Sequence, residues 1–220
     1  MIFIGSYPFS WFTLNALLKN NFIPEVLITI KGDKKSDYLF YKNCLKSSFL
    51  SNTKIILINK KQDLLQVKVE QSNYLITSAF PFLVPNNILS KARKLALNVH
   101  PSLLPRWRGP DPIRNAIVAE DKYIGVSIHK MTGIFDKGEI IAQCKYINDG
   151  EATLSDYIKL LAESGANLIM ENIRNPKIEF KNKKNTFESI YKNEPYAHNI
   201  SSKLASIKDT MPREYQRLIK

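Results

Sequence analysis

The 220-residue chain is short of the residues that build staples and metal cages. It has two cysteines, Cys44 and Cys144, and three histidines, His100, His129 and His198. Two distant thiols exclude a disulfide framework and a cysteine knuckle, and they suit a reducing, cytoplasmic compartment. So few histidines argue against a histidine-rich metal site, so no metal is expected. No apolar run approaches the roughly 18 residues of a membrane span. The opening Met1–Phe12 has no basic residue before its apolar ones and reads as a first strand, not a signal peptide. Several signatures are missing as well. Neither G-x-G-x-x-G nor G-x-x-x-x-G-K-[ST] occurs, which removes most support for dinucleotide and P-loop readings. H-E-x-x-H and G-x-S-x-G are absent too, and with them the common zinc-protease and serine-hydrolase elbows.

What is present is an ordinary globular balance: 44% hydrophobic and 24% charged residues. The length fits one large domain with a short appendage. The net charge of +12 favours anionic partners. However, 25 of the 32 basic residues are lysines, scattered from Lys19 to Lys220, and such a pattern also makes a plain solvated face. The run Lys181–Lys184 reads as a turn.

Apolar runs alternate with helical periodicity along the first half. Strands are expected at Met1–Gly5, Val26–Ile30, Lys54–Ile58 and Tyr74–Thr77, and helices at Ser10–Leu18, Tyr38–Ser48 and Gln62–Gln71. This is the rhythm of βαβ units around a mostly parallel sheet. After Thr77, six of the eleven prolines fall between Pro81 and Pro112, and four of the eight glycines between Gly109 and Gly138. Such clustering marks shaped loops. Further strands are expected at Leu95–Val99, Gly125–Met131 and Glu139–Tyr146, and helices at Ile113–Val118 and Leu154–Ile173, with a weakly helical end at Ser202–Ile207.

The chemistry gathers in Asn98-Val99-His100-Pro101-Ser102-Leu103-Leu104-Pro105. Alternation sets Asn98 and His100 on one face at the end of a strand. In open α/β sheets that end borders the ligand crevice. An amide beside an imidazole suits acyl transfer, one stabilising an oxyanion and the other moving a proton. The same residues could equally cap the strand and tie down a loop. Asp136, in the glycine-bracketed loop Thr132–Gly138, supplies a carboxylate that could face the same crevice.

These residues resemble the 10-formyltetrahydrofolate-dependent formyltransferases. Asn-x-His-Pro-Ser-Leu-Leu-Pro, with Asp136 38 positions after Asn98 and Gly138 two residues later, matches that family's catalytic asparagine, histidine and aspartate. The likeness spans about residues 1–175. It implies a Rossmann-like α/β catalytic domain over residues 1–176 and an extension over 177–220 whose segment 185–220 could make a dimer contact. Asn98, His100 and Asp136 would be catalytic, with Asp136 keeping His100 charged. Phe80, Pro81, Phe82, Leu83, Val84 and Leu89 would hold the pterin ring of 10-formyltetrahydrofolate. Thr132, Gly133 and Phe135 would close over it.

The likeness also bears on the acceptor. Glycinamide ribonucleotide enzymes carry a Ser-Gly-Asn-Gly phosphate loop where this chain has Gly5-Ser6-Tyr7-Pro8, so that acceptor is not expected. Ser102–Gly109 is most like nucleotide-sugar and methionyl-tRNA formyltransferases. The tRNA enzymes add a C-terminal barrel and a basic insertion, to which Lys31–Lys35 is a poor match, while only residues 176–220 follow the long helix here. The first expectation is therefore N-formylation of a nucleotide-linked amino sugar, such as a dTDP-4-amino-4,6-dideoxyhexose destined for O-antigen or lipopolysaccharide, by a homodimer. Ser102, Arg106, Arg108 and Pro112 would contact that substrate. The alternative is a methionyl-tRNA formyltransferase-like enzyme lacking its C-terminal domain.

Overall fold

The computed structural model describes residues 1–31, 35–148 and 150–175. The middle of the Lys31–Lys35 run, the turn expected at 181–184, the helical end expected at 202–207 and the whole 177–220 extension lie outside the described residues. Seven strands form one sheet: β1 (Ile2–Gly5), β2 (Val26–Ile30), β3 (Lys54–Ile58), β4 (Ser72–Ser78), β5 (Ala92–His100), β6 (Tyr123–Lys130) and β7 (Ile140–Ile147). Their order is β3-β2-β1-β4-β5-β6-β7. The first five run parallel, and β6 and β7 are antiparallel to their neighbours. The fold is thus the expected α/β, Rossmann-like arrangement. Continuous apolar runs such as Ile2–Ile4 and Leu27–Ile28 form strands buried on both faces.

The two faces are covered unequally. Side chains of Phe3, Leu27, Ile76, Leu97 and Val99 join a core with α1 (Pro8–Lys19), α2 (Lys35–Lys46), α4 (Pro112–Val118) and α5 (Leu154–Arg174). Their alternating neighbours Ile2, Ile4, Ile28, Ile30 and Leu75 face a second cluster, closed by Leu64, Val84, Ile88 and half-buried Phe80, Phe82, Leu89 and Met131. That second face lacks the helix expected over Gln62–Gln71. A 3-10 turn at Lys61–Gln66 stands there instead, its start held by Asp63, whose carboxylate accepts the amides of Asn59 and Lys60. Beyond it, β-branched Val67 and Val69 favour extended backbone over a continued helix. A short α3 (Asn86–Leu89), not expected from the sequence, completes this cover.

α5 begins on a capping box. Thr153 Oγ1 accepts the Asp156 amide, and Asp156 returns a carboxylate oxygen to the Thr153 amide at 2.9 Å. Its buried stripe of Leu154, Tyr157, Leu161, Ala162, Gly165, Ala166, Ile169 and Met170 has helical spacing. Gly165 lets the helix axis close on the sheet, since a Cβ there would collide with Val99 Cγ1 and press on Val126 Cγ2 at 3.2 Å. Val99 lies between Asn98 and His100, so this contact fixes the strand that carries them. Gly165→Ala is therefore expected to cost about 1–3 kcal/mol by overpacking, read as a lower urea midpoint with an unchanged slope.

Candidate active site

Leu97 and Val99 point into the helix-covered core, so alternation turns Asn98 and His100 to the opposite face at the carboxyl end of β5. Asp136 reaches the same place from the loop between β6 and β7. His100 Nδ1 lies 3.5 Å from Asp136 Oδ1, and Asn98 Nδ2 lies 3.4 Å from that oxygen. Asn98 and His100, singled out in the sequence with Asp136, thus both contact that carboxylate. The Asp136 backbone sits at φ 50, a left-handed conformation that aims the carboxylate back at the strand. Gly109 donates its amide to Oδ2 at 2.9 Å, and Arg108 Nε donates to the Asp136 carbonyl at 2.9 Å. His100 and Asp136 are both buried, so their interaction is weakly screened.

A fourth member was not singled out in the sequence. His129 on β6 pairs in register with Asn98, and Ser127 with His100. His129 Nδ1 donates to the Lys130 carbonyl at 2.9 Å, so in the neutral ring Nε2 is an acceptor and takes a hydrogen from Asn98 Nδ2 at 3.0 Å. The same nitrogen lies 3.4 Å from Asp136 Oδ1. The signal was available in the alternation of apolar Ile124, Val126 and Ile128 with Gly125, Ser127 and His129. What the sequence lacked was the register that sets this strand beside β5.

Burial pushes the His100 imidazole down from the usual 6.5, against the upward pull of Asp136 and of the Trp107 carbonyl, with His129 and Arg108 adding to the fall. Desolvation of the enclosed ring thus opposes the expected role of Asp136 in keeping His100 charged. Burial pulls Asp136 the other way, upward, but the neighbouring His129 and His100 rings and the Gly109 amide outweigh it. The carboxyl is held below its ordinary range.

The residues expected to contact substrate separate. Arg106 is turned away, with Nε and Nη2 on Asp121 at 2.8 and 2.7 Å. Ser102 is buried and spends its hydroxyl on the Arg106 carbonyl at 2.7 Å. Pro112 is buried in the first turn of α4, where its fixed φ suits a helix start. These three are engaged in shaping the loop, while Arg108 stays half-buried beside Asp136. Of the residues expected around the donor, Phe80 and Phe82 meet edge to face at 5.7 Å, Leu83 and Leu89 are half-buried, Val84 is in the core and Pro81 is exposed. Thr132 and Gly133 are exposed in the loop, and Phe135 is 51% exposed at its tip.

The amino end of α1 is partly capped by its own side chain. Ser10 Oγ accepts the amides of Ser6 and Tyr7 at 3.1 and 3.4 Å, and Pro8 has no N–H to offer. Gly5 is required beside it, because a Cβ there would stand 2.7 Å from Ser10 Cβ. Among the described residues, no three His, Cys, Asp or Glu side chains gather as a metal site.

A family model described as formyl transferase matches residues 51–173. The methionyl-tRNA formyltransferase of Ehrlichia canis is 30% identical over 189 residues, covering 80% of this chain and 60% of that protein. The chain therefore spans about three fifths of the length of such curated relatives. Among solved structures, a phosphoribosylglycinamide formyltransferase from Bacillus halodurans superposes with a TM-score of 0.62 at 21% identity, covering 83% of this chain and 97% of its own. An N-formyltransferase from Helicobacter canadensis, solved with folinic acid and dTDP-3-aminofucose, has a TM-score of 0.56 at 22% identity, covering 79% and 62%. At that identity the structural likeness is one of fold.

The lowered His100 value has a consequence for stability. The unfolded chain binds a proton near 6.5 that the folded ring refuses, so the contribution is whole above that pH and is lost as pH falls below it. Unfolding free energy measured in urea is expected to drop between about pH 7 and about pH 5, by up to about 1.4 kcal/mol per pH unit for this group. His100→Asn should flatten that slope.

Proposed function

The chain belongs to the formyl transferase family, and we propose that it moves a formyl group from 10-formyltetrahydrofolate to the amine of a nucleotide-linked amino sugar, using a catalytic domain over residues 1–176. The observation that carries formyl transfer is the meeting of Asn98, His100 and Asp136 at the carboxyl end of β5. In the reaction the amine nitrogen bonds to the formyl carbon and the bond from that carbon to N10 breaks. The amine gives up a proton and N10 gains one.

Each residue has a place in that balance. Asn98 Nδ2 donates to His129 Nε2 at 3.0 Å and, over a longer 3.4 Å, to Asp136 Oδ1, and the hydrogen on that longer bond turns to the oxyanion growing on the formyl oxygen. His100 enters neutral, with Nε2–H on the Trp107 carbonyl at 2.8 Å, so Nδ1 takes the amine proton and returns it to N10. Asp136 Oδ1 steadies the imidazolium while it exists. For the donor, the Phe80–Phe82 pair, Leu89 and Met131 form an apolar wall on the sheet face that Asn98 and His100 share. Ile134 and Phe135, two-thirds and half exposed, offer further apolar surface to a flat ring. These groups fit a pterin.

For the acceptor, Arg108 is the cation placed to meet a diphosphate, since its fork suits phosphate oxygens. The self-capped α1 terminus speaks against a phosphate held there. The 30% identity to the Ehrlichia canis methionyl-tRNA formyltransferase favours a second reading, charged initiator tRNA as acceptor. The proposal takes the enzyme to work in the cytoplasm, and no helix among the described residues is long and apolar enough to cross a membrane.

The test is a turnover screen with 10-formyltetrahydrofolate and three acceptors: a dTDP-4-amino-4,6-dideoxyhexose, a UDP-amino sugar and charged initiator tRNA. Turnover is expected on a sugar nucleotide, with KM changing only a few-fold between about 50 and 200 mM salt. Steep salt dependence with turnover on tRNA alone would establish the second reading. Asn98→Ala, His100→Asn and Asp136→Asn are each expected to lower kcat about 10²-fold or more with the fold intact by circular dichroism. Near-normal turnover in any of them removes that residue from the mechanism.

A further inference from the structure

Trp107 has φ 57, a left-handed conformation that bulky residues avoid. It is held there by Asp121, in the turn between α4 and β6. The Asp121 carboxylate accepts Arg106 Nε and Nη2 at 2.8 and 2.7 Å and the Trp107 indole N–H at 2.6 Å. The Arg106 guanidinium also stacks over the Trp107 ring at 4.4 Å. This carboxylate is 9% exposed, so its hydrogen bonds form out of bulk water. Asp121 is itself anchored, since its carbonyl accepts Asn148 Nδ2 at 2.9 Å and the Tyr157 hydroxyl of α5 donates to Asn148 Oδ1 at 2.8 Å. The other end of this chain of contacts is the Trp107 carbonyl, 2.8 Å from His100 Nε2.

We propose that Asp121 is a positioning residue for His100: by gripping Arg106 and Trp107 it sets the Trp107 carbonyl on Nε2, so that the neutral ring keeps its proton there and leaves the Nδ1 lone pair for the reacting amine, with Asp136 alongside to steady the imidazolium that forms. A carbonyl can only accept, so a ring nitrogen facing one must carry hydrogen. Without the grip the Trp107 backbone has no reason to stay left-handed, and the tautomer loses its partner. Among the described residues, the charged or titratable groups facing His100 are Asp136 and Arg108 from the loops and His129 from β6, and none of them contacts Nε2 in place of the carbonyl. The part played by Nδ1 rests on the formyl-transfer reading, whereas the tautomer does not.

The experiment is long-range 1H–15N correlation on the full chain labelled at its three histidines, with His100 assigned through His100→Asn. Wild-type His100 is expected as the Nε2–H tautomer. In Asp121→Ala its two ring nitrogens should move toward averaged shifts while His129 keeps its own, and kcat should fall about 10-fold or more with KM little changed. Trp107→Phe, which removes the indole donor and keeps an aromatic ring, should move His100 the same way and serves if Asp121→Ala does not fold. Asp121→Asn, keeping one acceptor oxygen, should fall between Asp121→Ala and wild type. A folded Asp121→Ala or Trp107→Phe with the wild-type tautomer, or a wild-type ring lacking the Nε2 proton, overturns the proposal. A tautomer change in a protein that formylates none of the three acceptors would keep the clamp and discard the formyl-transfer reading.

Discussion

The Asp136 carboxylate is the charge around which the site is arranged. It is buried, and an unpaired buried carboxylate would be expensive, so the Gly109 and Asn98 N–H groups that reach it matter. Oδ2 takes the Gly109 amide, while Oδ1 faces His100, His129 and Asn98. One carboxylate thus draws together two neighbouring strands and two loops. The left-handed backbone at Asp136 is the local cost, offset by those contacts.

The sheet makes this convergence possible. Because side chains alternate, the helices on one face anchor β5 through Leu97 and Val99 and leave Asn98 and His100 on the other. That other face carries only a 3-10 turn, a short helix and loops among the described residues. The thinner cover leaves the Phe80 and Phe82 wall and the Asp136 loop space to meet beside the strand end. The antiparallel turn to β6 matters as well, because it brings a second imidazole level with Asn98.

Two kinds of loop serve the strand end. Ser127 and Gln143 tie the 102–104 backbone down, Ser127 Oγ accepting the Leu104 amide and Gln143 Nε2 donating to the Leu104 carbonyl, each at 3.0 Å. The 106–107 turn is held by Asp121 from outside the site. Rigid support on both sides fits an enzyme whose donors must stand where charge develops before it does.

Much of this was legible in the sequence. Strand runs, the helix rhythm and the N-x-H motif depend on local periodicity, and Asn98 and His100 share a face because alternation requires it. The position of Asp136 relative to them was legible only through resemblance, since no local rule places a loop carboxylate against a strand 38 residues away. His129 needed the β5–β6 register, and the diversion of Arg106 needed the fold that sets Asp121 beneath it. Burial pushes the His100 imidazole down, and no local pattern foretells that, because desolvation depends on everything packed around the ring. Local backbone preference and side-chain alternation are written in neighbouring residues, whereas partners, register and dielectric exist only once distant segments have met.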